Sequence, residues 1–352
     1  MKVAIFTIYS QNCGNRLQNY ALQEVLGQMG AESVETLRRT RPAAMVTRAK
    51  RALRRMLKDD EMERFLRFDE ERIVFSRDVV SAELVSPGLS ERYDAFVIGS
   101  DQVWNPYFSF SSERDYLPFV PREKKIAYAA SFGVARLAPE DARWPVADLV
   151  DGIPLVSMRE GAGADLVRCM TGRDVPVVLD PTMLLPSDAW HLIARRPDRG
   201  CPEEAYCFKC IIGEDAFSER ADALAQSRGL TMVGSHDPRM PVGPAEFVWL
   251  VSRASLVCTD SFHASVFATL FHRPLVIFER RGEGGDMSSR LDTLCETFGL
   301  EGHRICHDGF SFDRVFEEDW AAVDERLAFE RARSLDWLKD ALRQVGMGLH
   351  GR

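Results

Sequence analysis

The sequence predicts an α/β fold made of two Rossmann-like domains that face each other across a cleft. Short apolar runs alternate with helical patterns, which is typical of a parallel sheet covered by helices. This alternation starts again near Ala205, after the polar stretch Arg195–Glu204. A length of 352 residues also suits two domains of ~150 residues each. We therefore predict an N-terminal domain over residues 1–195, a second domain over 204–316, and a C-terminal helical segment over 317–352 that packs back across both.

The elements of the first domain follow from apolar runs and helical spacing. A helix is predicted after the first strand because apolar residues recur there at intervals of three and four, as in Leu17, Tyr20, Ala21 and Val25. The other runs are short and apolar, as buried parallel strands are. The predicted strands are VAIFTI, AFVIGS, KKIAYAASFG, PLVSMRE and VPVVLD, with helices in GNRLQNYALQEVLGQMG and GAGADLVRCM.

The second domain repeats the pattern with shorter strands. Its predicted strands are AYCFKCII, TMVGS, SLVCTD and PLVIFE, and its predicted helices are DAFSERADALAQSRGL, FVWLVSRA and SFHASVFATLF.

Composition excludes several classes of protein. A net charge of −8 argues against general nucleic-acid binding. No apolar run approaches the ~18–20 residues of a membrane span, and the N-terminus lacks the features of a signal peptide, so we expect a cytoplasmic protein. Cys207 and Cys210 form a CxxC, but strand alternation places them on opposite faces and no second pair completes a zinc set. We expect no metal and no cofactor.

The segment Arg38–Lys58 is strongly basic and contains interspersed apolar residues. The simpler interpretation is a solvated helix. The alternative is an interfacial helix that meets anionic lipid or a lipid-linked acceptor. An acidic run follows directly, so we expect at most weak peripheral contact, at the inner face of the membrane.

Polar residues follow most of the predicted strands, where ligands bind in open α/β sheets. In the loop GSDQVWN, an acid (Asp101), an amide (Gln102) and an indole (Trp104) suit sugar binding, although Trp104 could equally be a core residue. Asn15 either caps the first helix or helps to bind an anion or sugar. Asp180 follows VPVVL and either contributes to the site or only starts a turn.

Two further positions suit the binding of an anion. His263 lies one turn into an apolar helix, beside Ser261, where free amides and the helix dipole attract negative charge. A buried core histidine is the alternative. Arg159 follows an apolar strand and could bind phosphate or carboxylate through its planar fork; a salt bridge with Glu160 or another acid is the alternative.

The ordered motifs GNRLQNYALQ, FVIGSDQVWN, AYAASFG, SMREGAGADLV, PVVLDPTMLL and TDSFHASVFATLFHRPLVIF resemble those of the polysaccharide pyruvyl transferase family. They span residues 12–278. The resemblance implies a GT-B-like fold, no metal, and transfer of pyruvate from phosphoenolpyruvate onto a sugar of a cell-surface polysaccharide or its precursor, as a ketal. The partners would be phosphoenolpyruvate and a glycan or lipid-linked glycan.

The resemblance also assigns roles to residues. Arg159 resembles the family's donor-binding arginine, and His263 resembles the histidine of an Arg-Leu-His motif in which Ser261 here replaces the arginine. The complete prediction is catalytic His263 and Asp101; donor-binding Arg159, Ser261, Phe262 and Arg290; and acceptor-binding Asn15, Gln18, Gln102 and Trp104. The sequence leaves open which of Asp101 and His263 is the acid and which the base.

Two other functions stay open at this point. One is a GT-B-like glycosyltransferase that uses a nucleotide sugar, although no base-stacking or ribose-binding group can be identified. The other is a catalytically silent binding member of the family, which the serine at position 261 keeps open.

Overall fold

A computed structural model gives the structure of the chain and describes residues 1–39, 60–81, 84–137, 143–213, 216–237, 239–279 and 288–350. The chain divides into two compact units. The first unit is Met1–Leu184 together with the chain from Glu330 onward, and the second is Leu185–Phe329. Most of the basic segment Arg38–Lys58, and the loop that precedes Ser288, lie outside the described residues, so the predicted membrane contact stays a prediction.

The first unit is built on a six-stranded parallel sheet. Its strands are β1 Lys2–Phe6, β2 Ser33–Arg38, β3 Phe75–Val79, β4 Ala95–Ile98, β5 Lys125–Ala130 and β6 Leu155–Met158. Its helices before the second unit are α1 Cys13–Gln28, α2 Asp60–Arg72, α3 Leu89–Arg92, α4 Val146–Asp151 and α5 Gly161–Thr171.

The strand order in this sheet is β3-β2-β1-β4-β5-β6. It is the order of a Rossmann sheet, in which the direction of winding reverses between β1 and β4. The central strands β4 and β5 are buried along their whole length, as their continuous apolar runs predict. The crevice at the carboxyl ends of β1 and β4 is therefore where this topology favours a ligand.

The second unit contains a four-stranded parallel sheet in the order β10-β9-β7-β8. Its strands are β7 Tyr206–Cys210, β8 Thr231–Gly234, β9 Leu256–Thr259 and β10 Leu275–Ile277. Its helices are α6 Ser187–Ile193, α7 Ala216–Ser227, α8 Pro244–Arg253, α9 Phe262–Leu270 and α10 Ser289–Phe298. The winding reverses between β7 and β9.

The division between the units falls earlier than the predicted boundary at residues 195–204. Helix α6 belongs to the second unit, where Trp190 meets Phe267 of α9 edge to face at 4.8 Å between ring centroids. The final helix, α11 Trp320–His350, is continuous, and the division falls within it at Phe329. The polar stretch Arg195–Glu204 predicts a boundary from composition. Trp190 lies before that stretch but packs within the second unit, so the boundary falls earlier.

The run VPVVLD is not the strand that its composition predicts. It pairs with β6 only at Val177, through a single bridge to Met158. Pro176 has no N–H to extend the ladder, and Asp180 caps a short 3₁₀ turn at Pro181–Met183 by accepting from the Thr182 amide. This segment runs along the edge of the sheet and delivers Asp180 to its carboxyl end.

No helix in the described part of the chain is both long enough and apolar enough to span a bilayer.

Candidate functional site

The polar residues that follow β1, β4, β5 and β6 form one buried network of hydrogen bonds and ion pairs, which we call the Asp101 cluster. It lies at the switch point of the first sheet, where α/β proteins bind ligands. Its members are Thr7, Asn15, Gln18, Ser100, Asp101, Ser131, Arg159, Glu160, Asp180 and Thr182.

Asp101 accepts hydrogen bonds on both carboxylate oxygens. Its Oδ1 accepts from Nη2 of Arg159 at 3.0 Å and from the backbone N–H of Gln102 at 2.9 Å. Its Oδ2 accepts from Nδ2 of Asn15. Its backbone φ is 70°, in the left-handed region that residues other than glycine rarely adopt. Strained backbone of this kind concentrates at functional sites. The three donors stabilise a carboxylate and fix its direction.

Arg159 lies between carboxylates. Its Nη2 contacts Asp101 at 3.0 Å, its Nη1 contacts Asp180 at 2.9 Å, and its Nε lies 4.0 Å from Glu160. Burial by itself lowers the pKa of the guanidinium, but the charges of these three carboxylates together raise it above its ordinary value. The Arg159 side chain is 1% exposed. These contacts match the salt-bridge alternative, and the predicted role of Arg159 in binding phosphoenolpyruvate stays a prediction.

Asp180 is more enclosed than Asp101. Its Oδ2 accepts from Nη1 of Arg159 and from Oγ of Ser100 at 3.0 Å, and its Oδ1 accepts from the amide and the hydroxyl of Thr182 at 3.0 and 2.7 Å. Its side chain is 0% exposed, compared with 8% for Asp101. Asp101 is therefore the better placed of the two to meet a substrate.

Gly99 lets β4 approach β5 closely before the chain turns into Asp101. Its φ is +126°, and a Cβ at this position would lie 2.1 Å from the carbonyl oxygen of Tyr128. Only glycine fits without displacement of the backbone. The sequence marks this constraint only by a glycine directly before Ser100 and Asp101.

The residues predicted to bind an acceptor have different surroundings. Asn15 contacts Asp101, as described above. Gln18 lies inside the Asp101 cluster, where its Nε2 donates to Thr7 at 2.8 Å and its Oε1 accepts from the Ser100 amide at 3.1 Å. Gln102 accepts from Nδ2 of Asn105 at 2.7 Å and so braces its own loop.

Trp104 does not occupy the surface position that sugar stacking requires. It is 1% exposed and stacks on Tyr116 with 5.2 Å between ring centroids and an interplanar angle of 12°. Phe132 packs on it as well, at 5.4 Å. The alternative interpretation, a core residue, describes Trp104, because two aromatic side chains hold the indole inside the first unit.

A second polar cluster follows β9 in the second unit, at the switch point of that sheet. Asp260 accepts from the amides of Ile212 and Gly213, both at 2.7 Å, and so ties the loop after β7 to the end of β9. Ser261 is the N-cap of α9: its amide donates to Thr259 Oγ1 at 2.9 Å and its own hydroxyl accepts weakly from the Ala264 amide at 3.5 Å.

The structure places Ser261, Phe262 and His263 together at the start of α9. His263 is mostly buried, and its ring meets that of Phe262 edge to face at 5.3 Å. Arg290 is buried in the first turn of α10, a helix that packs against α9. All four residues predicted for the donor side of this unit thus lie on two contacting helices, and their roles stay predictions.

Metal ligation finds no support in the described residues, among which no three His, Cys, Asp or Glu side chains could together hold an ion. Cys207 and Cys210 are buried in β7 as free thiols. Burial raises the pKa of the Cys210 thiol to about 11, so the thiolate that metal binding requires is disfavoured.

Two α/β units with parallel sheets and a polar cluster at each switch point define a protein of the GT-B type. Solved structures of that fold are similar to this chain over most of its length. A putative UDP-N-acetylglucosamine 2-epimerase from Listeria monocytogenes matches with a TM-score of 0.53 at 10% identity, over 96% of this chain and 91% of that one. The S. aureus MnaA–UDP co-structure matches with a TM-score of 0.50 at 12% identity, over 94% and 90%.

The sequence model for polysaccharide pyruvyl transferases matches residues 12–281, about three quarters of the chain. The chain belongs to the polysaccharide pyruvyl transferase family. No curated protein sequence matches it significantly.

Proposed function

We propose that this protein transfers the pyruvyl group of phosphoenolpyruvate to two hydroxyls of a sugar in a cell-surface polysaccharide or its precursor, forming a ketal. Membership of the family supports the class of reaction. The observation that carries the proposal is Asp101, an oriented carboxylate at the switch point of a Rossmann sheet. The reaction would take place in the cytoplasm, where phosphoenolpyruvate is formed.

The reaction needs proton transfers and no redox step. One sugar hydroxyl forms a C–O bond to C2 of phosphoenolpyruvate while the methylene carbon takes up a proton and becomes a methyl group. A second hydroxyl forms the other C–O bond as the bond from C2 to the phosphate oxygen breaks. Of the two hydroxyl protons, one is balanced by the proton on the methyl group and the other leaves with phosphate.

Asp101 is the proposed base for the attacking hydroxyl. The guanidinium of Arg159 and the side-chain amide of Asn15 donate hydrogen bonds to this carboxylate and stabilise its ionised form. The left-handed backbone conformation of Asp101 turns the chain away from the direction of β4. A positioned base of this kind contributes about 10²–10⁴-fold to a rate.

The donor is assigned to the second unit. Phosphoenolpyruvate carries a phosphate and a carboxylate, and the start of α9 offers backbone amides, the Ser261 hydroxyl and the imidazole of His263. His263 is the proposed acid at the methylene carbon.

The test is incubation of the protein with phosphoenolpyruvate and a panel of surface-glycan oligosaccharides, with phosphate release and product mass as readouts. We expect a pyruvate ketal on at least one acceptor and a loss of about 10²–10⁴-fold in turnover for Asp101→Asn. Asp165→Asn is the matched control, because Asp165 is an exposed acid in α5 that pairs with the surface arginine Arg168.

Two outcomes would contradict the proposal. Transfer of a sugar from a nucleotide sugar, without any ketal, would identify a glycosyltransferase. Binding of neither donor would identify a silent member of the family.

A further inference from the structure

The loop that joins β1 to α1, residues 9–12, leads into the Asp101 cluster and is tied to α2. Asp69 of α2 accepts from Nε and Nη2 of Arg16 at 3.0 and 3.4 Å and from the hydroxyl of Tyr9 at 2.5 Å. The ion pair is buried, with the side chains of Arg16 and Asp69 5% and 6% exposed. The guanidinium of Arg16 also stacks over the Tyr9 ring, with 3.7 Å between Cζ and the ring centroid. Helix α2 thus holds the start of the loop through two side chains.

The same arginine connects α2 to the Asp101 cluster through Ser10. Nη1 of Arg16 donates to the backbone carbonyl of Ser10, and the Ser10 hydroxyl donates to Oδ1 of Asn15. Nδ2 of the same Asn15 side chain donates to Oδ2 of Asp101. A series of contacts therefore runs from α2 to the proposed base, in the order Asp69, Arg16, Ser10, Asn15 and Asp101.

We propose that Ser10, Arg16 and Asp69 are positioning residues for the acceptor side of the reaction, which act on Asp101 through the side-chain amide of Asn15. The proposal rests on the function proposed above, in which Asp101 takes the proton from the sugar hydroxyl. The ion pair fixes the loop, and the Ser10 hydroxyl fixes the amide that holds the carboxylate.

The amide of Asn15 has to present its nitrogen to Asp101. A carboxylate accepts hydrogen bonds and donates none, and the same is true of an amide oxygen, so a rotated amide would place two acceptors against each other. The Ser10 hydroxyl favours the productive orientation because it donates to the amide oxygen. Asn15 is buried, so water has little access to replace that donor.

The ion pair between Arg16 and Asp69 contributes direction more than stability. A buried ion pair adds little net stability compared with apolar side chains of the same volume, because desolvation of the two charges offsets their attraction. The planar fork of Arg16 contacts Asp69 through Nε and Nη2 and the Ser10 carbonyl through Nη1. Apolar side chains could hold α2 against α1, but they could not orient Ser10 in this way.

Ser10→Ala removes the hydroxyl and leaves every charge in place. We expect kcat for ketal formation to fall about 10-fold, the effect of losing one hydrogen bond that orients a catalytic group. The Kd for phosphoenolpyruvate from titration calorimetry and the Tm should stay nearly unchanged. Ser10→Thr keeps the hydroxyl and should restore most of kcat. Normal kcat in Ser10→Ala, or an equal loss in Ser10→Thr, would overturn the inference.

Ser227→Ala is the matched control for the serine variants. It removes an exposed hydroxyl at the end of α7, in the second unit, where Oγ donates to the Leu224 carbonyl. Neither kcat nor the Kd should change in this variant.

Asp69→Asn tests the far end of the series. The variant leaves the buried guanidinium of Arg16 without its acid, so both Tm and kcat should fall. In the double variant with Ser10→Ala, kcat should fall no further than in the slower single variant, because both changes act through the same amide. Losses that multiply would show independent effects and would overturn the inference. If Asp69→Asn does not fold, Tyr9→Phe replaces it, since it removes one hydroxyl from Asp69 and keeps the ring over Arg16.

Ketal formation by the wild-type protein separates this inference from the proposed function. If the wild type makes no ketal, the proposed function fails, and crystal structures of the wild type and of Ser10→Ala still test the positioning. The contact between Asn15 and Asp101 should be lost in the variant, and a retained contact would overturn the inference. If the wild type makes the ketal and Ser10→Ala turns over normally, this inference alone fails.

Discussion

Gly99→Ala should be among the most destabilising glycine-to-alanine substitutions in the first unit. The added Cβ would lie 2.1 Å from the Tyr128 carbonyl oxygen, and φ at +126° is unfavourable for alanine. The backbone conformation costs about 1–3 kcal/mol and the forced displacement about 1–3 kcal/mol more. Each kcal/mol of destabilisation lowers the Tm of a domain of this size by about 2–4 °C, so Tm should fall by roughly 5–20 °C.

Substitutions at two other glycines distinguish the conformational cost of an added methyl group from its steric cost. Gly30 has φ +92° with nothing within 4 Å of an added Cβ, so Gly30→Ala measures the conformational cost alone. Gly27 lies within α1, also with open space, so Gly27→Ala should stabilise the protein by about 0.5–1 kcal/mol. The expected order of Tm is Gly27→Ala above wild type, then Gly30→Ala, then Gly99→Ala.

Turnover provides the second measurement for this series. Gly99 lies two residues before Asp101, so a shift of Tyr128 or of β4 on the order of 1 Å should cost about 10²-fold in turnover. Gly30 lies beyond α1, and its variant should turn over normally once folded. Differential scanning calorimetry and phosphate release would settle both points. Equal melting of the Gly99 and Gly30 variants, with normal turnover in each, would refute the steric reasoning.

Four further expectations concern the second unit, α11 and metals. His263→Ala should lower turnover by about 10²–10⁴-fold without a change in Tm, since it removes the proposed acid; early melting with normal turnover would instead identify a core histidine. Ser261→Arg should tighten phosphoenolpyruvate binding in calorimetry by adding a cation beside α9, whereas abolished activity would indicate a site shaped for another donor. Ser334→Ala removes the acceptor of the buried Leu179 amide and should cost about 1–3 kcal/mol in chemical denaturation; an unchanged midpoint would show that the bond contributes nothing. Dialysis against a chelator should leave turnover intact, and recovery of lost activity by a divalent ion would contradict this.

The two sheets could be predicted from the sequence, because buried parallel strands are short apolar runs. The polar residues directly after such strands must lie at one edge of the sheet. Asp101, Arg159 and Asp180 were all noted as residues at strand ends. Their pairing could not be read from the chain, since it depends on the order of β4, β5 and β6 in the sheet and on the left-handed turn at Asp101. A lone arginine after a strand has the same sequence pattern whether it binds a substrate or two carboxylates.

Trp104 and Val177 show two other features of the structure that local sequence pattern does not predict. Trp104 stands in a polar loop, and the direction of its ring is decided by Tyr116, twelve positions later, which no local signal identifies. The run that contains Val177 has the composition of a strand, but one proline removes the donor that a regular ladder requires. In both places packing or a missing N–H overrides composition.

The proposed reaction requires groups of the protein that balance the donor's negative charge. Phosphoenolpyruvate has two anionic groups, and taking them out of water requires fixed donors. In the proposed reaction the second unit contributes such donors, because the amides at the start of α9, His263 and Arg290 lie on contacting helices. Ser261 stands there in place of an arginine, so we expect this unit to rely more on backbone amides and on Arg290 than it would with that extra charge. In the proposed reaction the two units have different electrostatic tasks: the first supplies a carboxylate for a neutral hydroxyl, and the second supplies hydrogen-bond donors to an anion.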